Sequence, residues 1–359
     1  MLLLNREETV MFVRERAYLF DAAGSQNPFS CSAWILHFLD TVAKPSWTFF
    51  VPESHDDGES VMLLYSDPKA PHRRMALTNY YASLYSLMLS SAKDRDMALG
   101  QLVLQLVQSK PHCAVINFAP LDQESTDGIS LRRIFSEHGW YIKKYFCFGN
   151  WYLPCAGLTF GEYMAQRPKQ TYNTWVRKLK KFEKEQSARL QIITDLAGTT
   201  TAMEAYHKIY AKSWKKPEPY PDFISGWAKI CAQNGWLRLG IAWVDNVPIA
   251  VQFWFTLNRR AYIFKLAYDE EYSKWSAGTI LSAHMIKYSL EQDNVIEIDY
   301  LTGDDNYKRA WMTHRRERAG LLACNLWSLR GLAIAATEFT DELIKRWLNR
   351  PGILGPAQT

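Results

Sequence analysis

Ser276, Ala277, Gly278, Thr279 and Ile280 stand at the joint between a polar loop and an apolar helical pattern. Ile280, Leu281, Met285 and Tyr288 recur at spacings of three and four, the mark of a helix with one buried face. A helix that begins here leaves its first N–H groups without internal partners, and its dipole puts partial positive charge at the same point. Small residues let a ligand approach the backbone closely. The chemistry on offer is the binding of a phosphate or diphosphate. An ordinary capped helix, with Ser276 or Thr279 as the cap, has the same local sequence. Further on, Glu297 and Asp299 alternate with Ile296, Ile298 and Tyr300, so a strand would set both carboxylates on one face. Such a pair can take a proton inside a cleft. A polar edge facing solvent shows the same alternation.

The elements that must position these residues are legible around them. Arg260–Tyr268 reads as a strand, Asp269–Ala277 as a polar loop, and the helix ends near Asp293-Asn294 before a strand over Val295–Tyr300. Two strands precede this unit, Trp236–Val244 and Val247–Leu257. Asp245-Asn246 is a tight hairpin turn between them, and Asn258-Arg259 joins the second to the third. Leu190–Thr194 reads as a strand, and Thr200–Trp214 as a helix. A second helix runs to about Gln233, after a loop holding Pro217, Pro219 and Pro221. Thr313–Trp327 is strand-like, Leu329–Leu348 helical, and Pro351–Thr359 a loose tail. The first half alternates strand and helix signals: a strand within Thr9–Phe20, a helix at Ser32–Val42, strands at Thr48–Val51 and Val61–Tyr65. A helix at Asp96–Gln108, a strand at Ala114–Phe118, a helix at Ile129–His138 and an aromatic strand at Trp140–Leu153 follow.

At 359 residues the chain is expected to form about two domains. A hydrophobic share of 48% and a charged share of 22% fit a folded soluble protein. The six cysteines form no C-x-x-C pair and none lies at zinc-finger spacing from a histidine, so we expect free thiols, no metal and a reducing compartment. No apolar run reaches about 18 residues, so no membrane span is expected and the cytoplasm is the default. Net charge is +5, and the stretch from Arg167 to Arg189 alone carries eight basic residues against Glu183 and Glu185. Within it, 169–189 reads as an amphipathic basic helix with a stripe of Trp175, Leu179 and Phe182. It is either a solvated surface or a wall facing an anion. His207 and His284 sit on apolar helices, where packing accounts for them, and no Walker A or full dinucleotide glycine pattern exists.

The order β–α–α–β–β–β–α–β–α–β in the second half resembles the GNAT acyltransferase fold. The strings VRKLKKFEKE, GWLRLGIAWVDNVPIAVQFWF, AYDEEYSKWSAGTIL and IDYLTGDDNYKRAW are similar to the CelD (BcsL)-like acetyltransferases, kin to the FemAB-type aminoacyl transferases. The likeness covers roughly 165–330. The GNAT phosphate loop reads Arg/Gln-x-x-Gly-x-Gly/Ala, and here Ser273, Ser276 and Gly278 fill its fixed positions, keeping only the last glycine. CelD-like chains more often carry Ser-Pro-Gly-Thr where this one has Ser276-Ala277-Gly278-Thr279.

The resemblance implies an α/β (α+β) chain of two tandem GNAT-like halves with mixed central sheets: 1–157, then the acyltransferase domain 158–330, then a terminal helix and tail over 331–359. It implies acetyl-CoA or another acyl-CoA as co-substrate, held at Ser276–Ile280, and an amine acceptor on an amino sugar or cell-envelope or exopolysaccharide precursor. Glu297, Asp299, Asp304 and Lys308 become the catalytic candidates. Arg177, Lys178, Lys181 and Tyr307 become the substrate contacts. Two other readings stay open: a Fem-like aminoacyl transferase using charged tRNA, motivated by the basic helix, and a non-catalytic binding module, motivated by the degenerate phosphate loop. A short capped helix whose Trp311 packs inward accounts for Asp304–Trp311 equally well.

Overall fold

The computed structural model describes residues 1–55, 59–89, 94–110, 112–122 and 124–348, with side chains to 341; the expected tail over 351–359 lies outside them. The chain runs through β1 (Leu2–Leu4), α1 (Arg6–Glu15), α2 (Ala17–Gly24), α3 (Ser32–Thr41), β2 (Thr48–Val51), β3 (Glu53–Ser54), β4 (Ser60–Val61), β5 (Leu64–Ser66) and β6 (Arg73–Ala76). It continues with α4 (Arg95–Gln108), β7 (Val115–Leu121), α5 (Thr126–Glu137) and the long β8 (Trp140–Pro154). Then come α6 (Phe160–Ala165), α7 (Lys169–Glu183), β9 (Arg189–Ile193), α8 (Leu196–Ala211), α9 (Pro221–Gln233), β10 (Leu237–Val244), β11 (Val247–Leu257) and β12 (Arg260–Tyr268). The chain closes with α10 (Ala277–Glu291), β13 (Glu297–Asp299), α11 (Asn306–Trp311), β14 (His314–Asn325) and α12 (Leu329–Leu348).

Two compact units form, and neither is continuous in sequence: one holds residues 1–32, 43–147 and 318–359, the other 33–42 and 148–317. The first unit's sheet runs β1-β2-β5-β6-β7-β14, antiparallel except for the parallel pair β6/β7, whose crossover carries α4. The second runs β9-β10-β11-β12-β13-β8, antiparallel except for the parallel pair β12/β13, whose crossover is α10. Both sheets are therefore mixed, and the same order of elements occurs twice. Each unit completes its sheet with a strand that begins in the other half of the chain. Residues 152–154 of β8 pair with β13, and residues 319–324 of β14 pair with β7.

The second unit's core is the apolar face of α10 laid on the sheet, with Leu281, Met285, Ile286 and Leu290 packed among Trp254, Ile263 and Ile298. α7 closes this layer through Phe182, with Trp175 and Leu179 partly buried beside it. In the same unit α3 sets Trp34 edge-on to Phe223 and Trp227 of α9 and to Phe264 of β12. His37 of α3 bonds the Phe223 carbonyl at 2.8 Å, and burial holds its pKa down. Gly226 lets the two helices approach, since a Cβ there would stand 2.3 Å from His37 Cε1. The hairpin turns form as expected: Asp245 and Asn246, and Asn258 and Arg259, all have positive φ between 50° and 58°. The strand expected within Thr9–Phe20 is instead helical, as α1 and α2. Asn5 and Glu8 bond each other's backbone N–H groups at 2.9 and 2.8 Å in a capping box, and that start signal outweighs the β-branched run that follows.

Candidate functional site

The site is built at the start of α10. Asp269 ends β12, accepts the Glu271 N–H at 3.0 Å, and pairs with Lys212 at 3.2 Å. One irregular 3-10 segment, Glu270–Trp275, leads to Ser276, which lies in the left-handed region at φ 51°, ψ 41°. A non-glycine residue held there stores on the order of 1–3 kcal/mol, a strain that concentrates at functional sites. Neither Ser276 nor Thr279 caps the helix with its side chain. The Ser276 carbonyl accepts from Thr279 and Ile280 at 3.0 and 3.2 Å, while the N–H groups of Ala277 and Gly278 have no acceptor among the described residues. Two backbone donors and the positive end of a 15-residue helix are thus left open. Gly278 is half-buried, and a Cβ there would meet only Tyr268 Cδ1 at 3.6 Å.

Beneath this turn the sheet parts. β13 meets β12 only along Arg260–Tyr262, so β12 continues to Tyr268 with no strand beside it on that side among the described residues. On its other edge the register slips between Phe253/Lys265 and Trp254/Ile263, leaving Phe264 as the extra residue of a bulge. A bulge leaves its extra residue outside the regular ladder and increases the local twist of the strand. A buried polar chain fixes the helix start to the sheet. Gln252 of β11 donates to the Gly278 carbonyl at 3.3 Å and to Ser282 Oγ at 2.7 Å, and accepts from the Trp254 indole at 2.9 Å.

The carboxylate candidates gather along β13 and the strands flanking it, each against an arginine. Glu297 and Asp299 share one face and both pair with Arg316, the Glu297 contact at 3.0 Å. Asp299 Oδ1 also accepts from Asn150 and from the Leu301 N–H, both at 2.6 Å. Asp304 is gripped by Arg315 at 2.7 Å and accepts the Trp151 indole N–H at 2.8 Å. The Arg315 hydrogen bond holds its carboxyl below the usual carboxylate range. Lys308 is buried and donates to the carbonyls of Thr302 and Gly303 at 2.6 and 3.2 Å, with Asp305 at 3.3 Å; burial lowers its pKa. Tyr307 lies edge-on to the buried Tyr300 at 5.9 Å.

A second group of charges was not visible in the sequence. Glu218, in the proline-rich loop, pairs with Lys265 of β12 at 2.7 Å, both side chains at least nine-tenths buried. Lys215 lies in the same field, and burial, then the Lys265 charge, push it down to about 8. Lys265 carried one signal, a lone charge inside the apolar run AYIFKLAY; Lys215 and Glu218 carried none. On α7, Lys178 donates to the Lys274 carbonyl at 2.7 Å and Lys181 lies 4.9 Å over the Trp275 ring, so both border the segment leading into Ser276. Arg177 is exposed beside them and pairs with no carboxylate among the described residues. Among the described residues no cluster of His, Cys, Asp and Glu could hold a metal ion.

The first unit's counterpart of this helix start is closed. At α4 the Asp94 carboxylate itself accepts the N–H groups of Asp96 and Met97, both at 3.0 Å. An anion would meet a fixed negative charge there.

A parallel pair that splays beside a bulged strand, with an open helix start at its mouth, defines the GNAT class of acyltransferase folds. Residues 169–309 match the model of the acetyltransferase (GNAT) domain family. Over its length the chain has the fold of FemX, at 12% identity and TM-score 0.59, with 90% of this chain and 97% of that one covered. The C-terminal domain (DUF2156) of a putative lysylphosphatidylglycerol synthetase from Agrobacterium fabrum is also similar: 12% identity, TM-score 0.53, 92% and 96% covered. So is L-PGS from Bacillus licheniformis, at 10% identity and TM-score 0.51, with 85% and 91% covered. No curated protein matches the sequence.

Proposed function

We propose that the protein is an N-acyltransferase that moves an acyl group, acetyl in the simplest case, from acyl-CoA to an amine on a sugar or envelope precursor. The observation that carries this reading is the pair of open N–H groups at Ala277 and Gly278 beside the parted strands, inside the segment that matches the GNAT domain family. In this reading the Ser276–Ile280 turn holds the donor's diphosphate. The bulged edge of β12 polarises the thioester carbonyl. The acceptor nitrogen forms a bond to the carbonyl carbon, the C–S bond breaks, and the thiolate leaves. The nitrogen's proton goes to a neutral amine or to water held by one. Lys215 suits that role, since at about 8 it is partly neutral near physiological pH. Asp299 and Asp304, tied to arginines, order the β8–β13–β14 side, where Lys308 is held by the Thr302 carbonyl and Tyr307 packs edge-on to Tyr300. Titration calorimetry of the full chain with acetyl-CoA tests the donor: saturable heat is expected, and folded protein giving none at millimolar ligand removes acyl-CoA.

One observation favours a second donor. Lys180, Lys184 and Arg177 of the α7 region pair with no carboxylate among the described residues. The relatives named for lysylphosphatidylglycerol synthesis share the fold, which brings an aminoacyl donor such as charged tRNA into the proposal. Binding of tRNA that weakens steeply with salt supports it, because displaced counterions drive that association. Clear acetyl-CoA binding with indifference to tRNA excludes it.

A further inference from the structure

Within the second unit a cavity of about 510 Å³ lies between α7 and α10. Its walls are Phe160, Trp175, Leu179, Phe182, Leu190 and Ile280. Apart from the Trp175 indole, none of these side chains offers a hydrogen bond. A sugar or purine placed here would leave its hydroxyls or nitrogens unpaired, at a cost of about 1–3 kcal/mol each. A hydrocarbon chain loses nothing by entering, and gains from leaving water. The size falls within the range of about 300–1,000 Å³ usual for small-molecule sites.

The edge of the cavity is different. It holds Arg189, His284 and Lys287, with Glu183 as the one acid. Arg189 is steered there by its stack 4.7 Å over Trp243 and by a bond to Asn246 at 2.9 Å. Lys287 reaches its nearest acid, Glu291, only at 3.9 Å. The His284 ring is half-buried and makes no hydrogen bond among the described residues. An apolar chamber with a cationic rim and an unused imidazole has the polarity of an amphiphile reversed.

We propose that this cavity binds an acyl-chain amphiphile with an anionic head, its chain between Phe182 and Ile280 and its head at Arg189 and Lys287. Ile280, the last residue of the Ser276–Ile280 turn, also lines this cavity, so the two sites adjoin, and the proposal stands whether or not acyl-CoA is the donor.

The test is titration of the full-length chain, followed by the fluorescence of Trp175 and its neighbours. Dodecanoate is the probe, acetate the chainless control, and dodecyl maltoside the uncharged one. Saturable binding of dodecanoate is expected, with acetate silent and the maltoside at least tenfold weaker. Leu179→Trp, which fills the chamber, is expected to abolish binding. Arg189→Gln with Lys287→Gln, both on the surface and so safe for folding, is expected to weaken it at least tenfold. Co-sedimentation with phosphatidylglycerol vesicles separates the sources: vesicle binding displaced by dodecanoate assigns a membrane lipid, and dodecanoate binding without vesicle binding assigns a free acid. No saturable dodecanoate binding, or binding and sedimentation that Leu179→Trp and the Arg189→Gln, Lys287→Gln pair leave unchanged, overturns the proposal. Acetyl-CoA calorimetry on the same samples reports the donor site independently.

Discussion

At Gly278 the chain keeps a residue without a side chain although an alanine would fit: the nearest atom to a Cβ is 3.6 Å away. Helix propensity favours the larger residue by about 1 kcal/mol, so Gly278→Ala is expected to hold or raise stability. If a diphosphate lies on this turn, Gly278→Leu is expected to weaken donor binding by about tenfold or more, equal to about 1.4 kcal/mol, with the unfolding midpoint little changed. Calorimetry and thermal unfolding read the two effects apart. Lys215 supplies a second expectation. Its pKa is lowered to about 8 in the folded chain. Above that pH the unfolded chain holds the extra proton up to the ordinary lysine range, so stability rises with pH across that window. Urea unfolding below and above pH 8 should show the rise, and Lys215→Met should flatten it; the reaction rate should rise through the same pH if Lys215 takes the proton. Sequence located the helix start at Ser276, leaving open whether a side chain capped it, and the shared face of Glu297 and Asp299, because both follow from local period. It could not locate the arginines that hold the carboxylates or the neighbours of Lys215, because those meet only through the sheet.

Elements were the most legible level, since period, caps and turns are local. The second half's order of strands and helices and the hairpin turn at Asp245-Asn246 are present. The strand expected over Val295–Tyr300 is shorter, Glu297–Asp299, because the cleft opens where its pairing with β12 ends. The Phe264 bulge was invisible, since it depends on register against β11 rather than on residue type. Packing between elements gives a sharper test than their existence. Gly226→Ala would press a methyl to 2.3 Å from His37 Cε1, and α3 and α9 would have to separate. Overpacking of this kind costs about 1–3 kcal/mol, more than the helix propensity an alanine returns. Chemical denaturation should show that loss, and Gly226→Ala with His37→Ala should recover part of it.

As a whole molecule the chain is two units of one plan, each incomplete without a piece from the other half of the sequence. A cut at residue 157 therefore severs more than a linker. The fragment 158–359 lacks β8, leaving β13 without its antiparallel neighbour, and lacks α3, baring Phe223, Trp227 and Phe264. It is expected to be aggregated or unfolded by circular dichroism and size exclusion, and restored by co-expression with 1–157. The interleaving left no mark in composition or period, which record neighbours along the chain and not partners across it. It does set an order of events on the ribosome. The amino-terminal unit cannot close its sheet until residues 319–324 have emerged to lie beside β7, whereas every strand of the other unit is made before that. The half that is synthesised first is thus the half that finishes last, and the nascent chain must carry it open until residues 148–317 have all been made.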